Sequence, residues 1–192
     1  MSSWLVFDYG QVISLPQPPD EMAAMARLAE LPLDTFSEGY WRHRDVYDSG
    51  CPTERYWSLV VGRPLAASDQ LVSDLVAADV ASWSHLNPST LDLLDELAAA
   101  GHRLALLSNA PEAIATAIDA APWAAGFTHR LFSCRLALAK PDPAIFHELL
   151  RQLAAPPDQV TFVDDRPENV RAAAEAGLTA LRYPEVPSPT RR

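Results

Sequence analysis

The chain has 192 residues, of which 48% are hydrophobic and 21% charged, so it can bury one substantial core and a modest second unit. Its formal net charge of -10 repels nucleic-acid phosphates and anionic lipids, which argues against both as partners. No apolar stretch approaches the ~18 residues of a membrane span, and Asp8 interrupts the apolar amino terminus, so we expect that this segment is not a signal peptide. Cys51 and Cys134 lack a metal-type spacing, so we expect free thiols in a cytoplasmic protein.

The first predicted element is a short buried strand, Trp4 to Phe7, with Asp8 at its carboxyl end. A proline-rich break follows, and the chain then carries four helical patterns and no strand pattern until Leu86. The predicted helices cover 20–31, 34–47, 53–61 and a stretch that begins at Ser68. These patterns predict a small all-helical insert over residues 15–86.

After Asn87 the pattern changes to alternating helices and strands. Strands are predicted at 102–107, 130–132, 160–163 and 178–181, and helices begin near Pro88, Pro111, Pro143 and Pro167. This alternation predicts an α/β fold with a Rossmann-like parallel sheet and helices on both faces, built from residues 1–14 and 87–192. The tail from Pro184 to Arg192 is expected to fray.

Polar residues follow three of the predicted strands: Asp8, then Ser108 and Asn109, then Asp164 and Asp165. Ligands bind beyond the carboxyl ends of the strands in such sheets, so these residues are candidates for one site. Carboxylates that share a crevice repel one another unless a cation lies among them or some are protonated. Oxygen ligands of this kind favour Mg²⁺ as the cofactor.

Lys140 supplies a complementary positive charge, in a rigid Lys-Pro-Asp-Pro turn before a helix. The helix that follows Ser108 and Asn109 offers a hydroxyl and backbone N–H donors to phosphate oxygens. Each feature alone is more often a cap, a turn or a solvated charge. A carboxylate nucleophile at Asp8, a metal, a lysine and a donor turn are together the parts of phosphoryl transfer through an aspartyl-phosphate.

Four segments resemble the motifs of the haloacid dehalogenase superfamily of hydrolases. They are FDYGQVI at 7–13, LLSN at 106–109, KPDP at 140–143 and FVDDRPEN at 162–169. The resemblance spans nearly the whole chain, and the fourth segment is the most specific. It implies that residues 15–86 form the small helical cap that this family places after its first strand.

The resemblance also implies roles for the acidic residues. Asp8 would attack phosphorus, and its other oxygen, the Gly10 carbonyl and Asp165 would bind Mg²⁺. Asp164 would support the metal directly or through water.

The remaining motif residues would act on the transferred group. Ser108 and Asn109 would bind the phosphoryl group, and Lys140 would neutralise its charge. Asn169 would position the metal-binding loop.

Gly10 departs from the pattern, because most phosphatases of this family carry an acid at that position as general acid and base. The loss of such help costs ~10²–10⁴-fold in rate, and a good leaving group needs it less. Glycine there is similar to the subgroup that contains bacterial α-D-glucose-1-phosphate phosphatase. We therefore expect a small phosphorylated metabolite as substrate, with sugar phosphates favoured.

The segment Tyr40 to Tyr47 is dense in aromatic and basic residues. His43 and Arg44 are candidates to face the site and bind substrate or supply a proton. The alternative is a helix whose aromatic residues pack and whose arginines are solvated. Nothing in the pattern decides between a monomer and a homodimer.

Two other functions remain open at this point. A metal-independent 2-haloacid dehalogenase would use Asp8 to attack carbon, although the pair Asp164 and Asp165 argues for a metal. A catalytically impaired module that only binds a phosphate ligand would explain Gly10.

Overall fold

The computed structural model describes residues 3–186, so most of the tail predicted to fray, residues 187–192, lies outside the described residues. The five strands are β1 (Trp4–Phe7), β2 (Arg103–Ser108), β3 (Phe127–Phe132), β4 (Val160–Asp164) and β5 (Thr179–Arg182). They form one parallel sheet in the order β3-β2-β1-β4-β5. The predicted α/β fold is confirmed, and β1 lies at the centre of the sheet.

The strands alternate with helices that cover both faces of the sheet. These helices are α6 (Pro88–Ala99), α7 (Glu112–Ala120), α8 (Ser133–Leu136), α9 (Pro143–Leu153) and α10 (Pro167–Glu175). Successive residues of a strand point to opposite faces. Leu5 and Phe7 accordingly pack in the cluster with α6 and α7, whereas Trp4 and Val6 pack in the cluster with α9 and α10. This burial on both faces explains why the β1 sequence is apolar throughout.

Between β1 and α6 the chain forms five helices. They are α1 (Pro19–Leu28), α2 (Leu33–Arg42), α3 (Arg44–Asp48), α4 (Thr53–Val61) and α5 (Gln70–Ser82). Their apolar residues form a third buried cluster, drawn from Met22 to Leu75. The single helix predicted over 34–47 is wrong in one respect. It breaks at His43, whose φ of -106° and ψ of 2° leave the helical region, and a new helix begins at Arg44.

The chain passes twice between the sheet and these helices, and the two passages pair with each other. Ser14 and Leu86 form an antiparallel bridge, and the Asn87 N–H donates to the Ile13 carbonyl at 2.8 Å. The predicted boundaries at 14/15 and 86/87 fall at this bridge, although the division into two domains stays a prediction. Within residues 3–186, no helix is both long and apolar enough to cross a bilayer.

Candidate active site

The acidic residues of the candidate site follow two neighbouring strands. Asp8 comes directly after β1, and Asp164 ends β4. The Asp8 N–H donates to the Val163 carbonyl at 2.9 Å, which fixes the two strand ends side by side. One carboxylate oxygen from each of Asp8, Asp164 and Asp165 lies within 4.8 Å of the others. Parallel strands bring their carboxyl ends to one edge, and this edge collects residues about 155 positions apart in the sequence.

Lys140 is the only lysine of the chain and lies between two of these acids. Its Nζ is 2.7 Å from Asp8 Oδ1 and 2.7 Å from Asp164 Oδ2, and it donates to the Leu107 carbonyl at 2.9 Å. These three partners use all the donors of the ammonium group. Because Lys140 is only 4% exposed, its charge is held by the protein rather than by water.

Local structure places Lys140 at this depth. The Asn109 side chain donates to the Lys140 carbonyl at 2.8 Å and accepts from the Lys140 N–H at 2.9 Å. On the other side of the turn, Asp142 caps α9 by accepting from the Ala144 N–H at 2.8 Å. Asn109 is thus tied to the backbone that carries the lysine.

Asp164 is fully buried, and both of its carboxylate oxygens are already hydrogen-bonded. Oδ1 accepts from the Arg166 N–H at 2.9 Å, Oδ2 accepts from Lys140, and Asn169 Nδ2 lies 3.0 Å from both oxygens. The Oδ1 atom of Asn169 is buried and has no hydrogen-bond partner within residues 3–186. Asp165 is more exposed and forms no salt bridge in the same part of the chain. Its carboxylate is therefore available to a cation.

The charges at this edge shift the pKa of each group. Burial raises the pKa of Asp8 to about 7, with Lys140 opposing the shift and Asp164 adding to it. Burial and the neighbouring Asp164 raise the pKa of Asp165. Burial alone would lower the pKa of Lys140, but the charges of Asp164 and Asp8 outweigh it, so the pKa is raised and the lysine stays protonated.

A cavity of about 400 Å³ opens above these groups. The predicted site residues that line it are Asp8, Gly10, Arg44, Ser108, Asn109, Lys140, Asp165 and Asn169. Asp164 lies beneath the cavity, in contact with Lys140. His43 is half-buried and is not among the described residues that line the cavity, since it occupies the break between α2 and α3.

The helices of residues 15–86 contribute a wall of the same cavity. Beside Arg44, this wall contains Trp41, Asp45, Asp48 and Trp83. Sequence reasoning did not single out Trp41, Asp45 or Trp83 as cavity residues. The i,i+4 spacing of Arg44 and Asp48 was a signal for an ion pair on α3. No sequence signal places Trp83 beside Gly10.

Arg44 is buried in an ion-pair network rather than solvated. Its Nε donates to Asp48 Oδ1 at 2.8 Å, and its Nη1 lies 3.1 Å from Asp79 Oδ1 and also donates to the Tyr40 hydroxyl. Burial lowers the pKa of Arg44, but Asp48 and Asp79 raise it well above its usual value. The guanidinium is therefore permanently charged and fixed in place, with two carboxylates compensating its charge.

A parallel sheet with three acids and one buried lysine at its carboxyl edge, under a wall of inserted helices, defines an α/β enzyme core of the hydrolase type. The chain belongs to the haloacid dehalogenase-like hydrolase family, whose profile matches residues 22–177.

Several curated proteins are similar in sequence. An uncharacterized protein in the fgs 3' region of Lacticaseibacillus casei is 29% identical over 153 residues, 70% of each chain. The phosphoglycolate phosphatase of Rhodospirillum rubrum is 36% identical over 106 residues, 55% of this chain and 44% of that protein. A flavin mononucleotide hydrolase of Arabidopsis thaliana is 32% identical over 92 residues, 48% and 38% of the two chains. The matches to the last two proteins thus cover less than half of each.

Solved structures share the fold. A HAD family enzyme of Bacteroides thetaiotaomicron, crystallised as an aspartate-to-alanine mutant with magnesium and inorganic phosphate, aligns with a TM-score of 0.74. It is 18% identical, and the alignment covers 95% of this chain and 94% of that one. A 2-haloacid dehalogenase of Pseudomonas syringae aligns with a TM-score of 0.67 and 21% identity over 95% and 86% of the chains. At these identities the likeness concerns the fold alone.

Proposed function

We propose that the protein is a Mg²⁺-dependent phosphatase that removes phosphate from a small phosphorylated metabolite through an aspartyl-phosphate on Asp8. One observation carries the proposal: Asp8, Asp164 and Asp165 bring carboxylate oxygens within 4.8 Å of one another, beside a buried lysine. This arrangement provides a nucleophile, an oxygen-rich cation site and a fixed positive charge for phosphate.

The residues present fit a magnesium ion. Asp8, Asp165 and the Gly10 carbonyl would hold it, because all three line the cavity and offer hard oxygen ligands. Asp164 suits a supporting role through water, since its oxygens already accept from Lys140, Asn169 and the backbone. When bound, Mg²⁺ would stabilise negative charge on the phosphoryl oxygens.

The chain's own residues account for the other steps. Asp8 would attack phosphorus through one of its carboxylate oxygens. Ser108 and Asn109 line the cavity and would donate hydrogen bonds to the phosphoryl oxygens. Lys140 would stabilise the negative charge on the phosphoryl group during transfer. Asp164 and Asn109 hold Lys140 in position.

Two comparisons support a phosphate monoester as substrate. The relatives from Rhodospirillum rubrum and Arabidopsis thaliana are described as a phosphoglycolate phosphatase and a flavin mononucleotide hydrolase. Gly10 leaves no acidic side chain at its position, which favours substrates with a good leaving group, such as anomeric sugar phosphates. Trp41 and Trp83 add aromatic surface to the cavity wall, on which a sugar ring can pack.

The proposal is tested by hydrolysis of a generic aryl phosphate with Mg²⁺, with and without a chelator. Chelation should abolish turnover, and Asp8→Asn should lose at least several orders of magnitude. Unchanged activity in that variant would remove Asp8 from the mechanism. Halide release from 2-chloropropionate without Mg²⁺ would instead support a dehalogenase. Thermal stabilisation by sugar phosphates without turnover would support a binding module.

A further inference from the structure

The space beside Gly10 is bordered by a side chain from the insert. A Cβ atom added to Gly10 would meet Cζ3 of Trp83 at 3.6 Å, which is ordinary van der Waals contact. Position 10 is glycine and has no carboxyl group, and Trp83 borders the space into which a side chain there would extend. A proton donor for the leaving group has to come from another part of the cavity wall.

Asp48 lines the same cavity at the carboxyl end of α3. Its Oδ1 accepts from Arg44 Nε at 2.8 Å, and its side chain is 12% exposed. Within residues 3–186, its Oδ2 is not among the buried polar atoms that lack a partner. Arg44 thus holds the carboxyl group through one oxygen, on the wall of the cavity.

The backbone of Asp48 is tied to the loop that carries the phosphate-binding residues. The Ser133 hydroxyl donates to the Asp48 carbonyl and accepts from the Ala110 N–H at 3.0 Å. Ala110 directly follows Asn109 in the sequence, so one serine joins α3 to the end of β2. The turn that follows α3 also packs closely, since a Cβ on Gly50 would lie 3.0 Å from the Cys134 carbonyl oxygen.

We propose that Asp48 is the general acid and base of this enzyme and replaces the acid that is missing at position 10. The inference rests on the proposed phosphatase function and adds to it the group that protonates the leaving oxygen.

The two half-reactions balance with Asp48 in this role. In the first, Asp8 forms a bond to phosphorus, the bond from phosphorus to the leaving oxygen breaks, and protonated Asp48 gives its proton to that oxygen. The products are an alcohol and the aspartyl-phosphate. In the second, ionised Asp48 takes a proton from water as the water oxygen bonds to phosphorus. The bond to Asp8 breaks, inorganic phosphate leaves, and Asp48 is protonated again.

The surroundings of Asp48 favour this exchange of a proton. Burial raises the pKa of Asp48 to about 6, and the charge of Arg44 opposes this shift. A general acid is most effective when its pKa lies near the pH at which the enzyme works. Asp79 on α5 and Asp45 on α3 add negative charge that raises the pKa further. The other titratable groups that face it are the phenols of Tyr47 and Tyr56 and the thiol of Cys134.

Burial raises the pKa of each of these three groups, to about 12 for Tyr47 and about 11 for Cys134, so they stay neutral as Asp48 titrates. Asp45 also lines the cavity, but it is exposed and lies one turn earlier on α3, which makes it the matched control.

The test compares Asp48→Asn with Asp45→Asn on two substrates in the presence of Mg²⁺. An aryl phosphate has a leaving group that departs without a proton, whereas an alkyl phosphate needs one. We expect Asp48→Asn to lose ~10²–10⁴-fold in kcat/KM on the alkyl phosphate and less than tenfold on the aryl phosphate. Asp45→Asn should keep the alkyl-to-aryl ratio of the wild type.

Equal losses of Asp48→Asn on both substrates, or a selective loss in Asp45→Asn, would overturn the proposal. Hydrolysis of the aryl phosphate shows that a variant is folded, and its absence in the wild type would refute the phosphatase function instead. If Asp48→Asn fails to fold, the pH dependence of the wild-type enzyme tests the proposal instead. Its kcat/KM should fall above about pH 6 on the alkyl phosphate but not on the aryl phosphate, and parallel profiles would count against Asp48.

Discussion

Trp83 borders Gly10, since a Cβ built on Gly10 would lie 3.6 Å from Trp83 Cζ3, although the two residues are 73 positions apart in the sequence. Both residues line the cavity, and a methyl group added to Gly10 would meet the indole at an ordinary van der Waals distance. Gly10 is not among the residues with positive φ, so a side chain there causes no backbone strain.

The first prediction concerns the size of the residue at position 10. Gly10→Ala should change the free energy of unfolding by no more than about 0.5 kcal/mol, because its Cβ meets Trp83 at an ordinary distance. Gly10→Leu should lower the free energy of unfolding by about 1–3 kcal/mol, because the larger side chain displaces the indole of Trp83. Urea unfolding measures both. Equal stabilities of the two variants would mean that Trp83 does not pack on this residue in solution.

The second prediction concerns the buried charge of Lys140. Lys140→Met leaves Asp8 and Asp164 without their shared cation, and loss of one partner from a buried pair costs about 3–5 kcal/mol. Urea unfolding should show this loss without metal, and added Mg²⁺ should stabilise the variant more than the wild type. Arg42→Met, which removes an exposed ion pair with Glu38, is the control and should cost less than about 1 kcal/mol.

The third prediction uses the fact that the chain contains a single lysine. Because Lys140 is 4% exposed and its raised pKa keeps the amine protonated, amine acylation should leave the peptide that contains it unmodified in the native protein. The same peptide should react fully after unfolding in urea. Peptide mass mapping measures the difference, and rapid native labelling would contradict the burial of this residue.

The fourth prediction follows from the pKa of Asp48, which burial raises from 3.8 to about 6. Between these values the folded protein holds the proton more tightly than the unfolded chain does. The contribution of Asp48 to the free energy of unfolding therefore falls as the pH rises, by up to about 3 kcal/mol.

Asp48→Asn has no proton to lose and should gain stability relative to the wild type over the same interval. Unfolding in urea at a series of pH values measures that difference. Asp45→Asn removes one of the charges that raise the pKa of Asp48, so its stability should change less steeply with pH than that of the wild type. If the free energies of unfolding of Asp48→Asn and the wild type differ by the same amount at every pH, burial does not raise the pKa of Asp48.

The fifth prediction concerns Ser133, which joins α3 to the loop after β2. Ser133→Ala removes both hydrogen bonds and leaves the buried Ala110 N–H unsatisfied, which costs about 1–3 kcal/mol. If Asp48 is the proton donor, the variant should also lose more activity on alkyl than on aryl phosphates. Ser49→Ala, which removes an exposed hydroxyl that bonds to the Asp45 carbonyl, is the control and should change neither property.

The sequence alone identified the sheet and its acidic edge. The run from Trp4 to Phe7 is apolar throughout and ends in an acid, a local pattern that indicates a buried strand and a polar residue at its end. The same reasoning found Asp164, and the turn before Pro143 placed Lys140 next to a helix that Asp142 caps. These features depend on residues close together in the chain, so a local pattern is sufficient to predict them.

Only the tertiary structure decided which residues of the insert face the site. His43 and Arg44 are adjacent in the sequence, yet the break between α2 and α3 leaves His43 off the cavity and buries Arg44 against Asp79, 35 residues away. The contact of Trp83 with Gly10 and the link from Ser133 to Asp48 likewise join distant segments. Such contacts arise because the helices pack as rigid bodies on the sheet, and helical periodicity specifies the apolar face of each helix but not its position or partner.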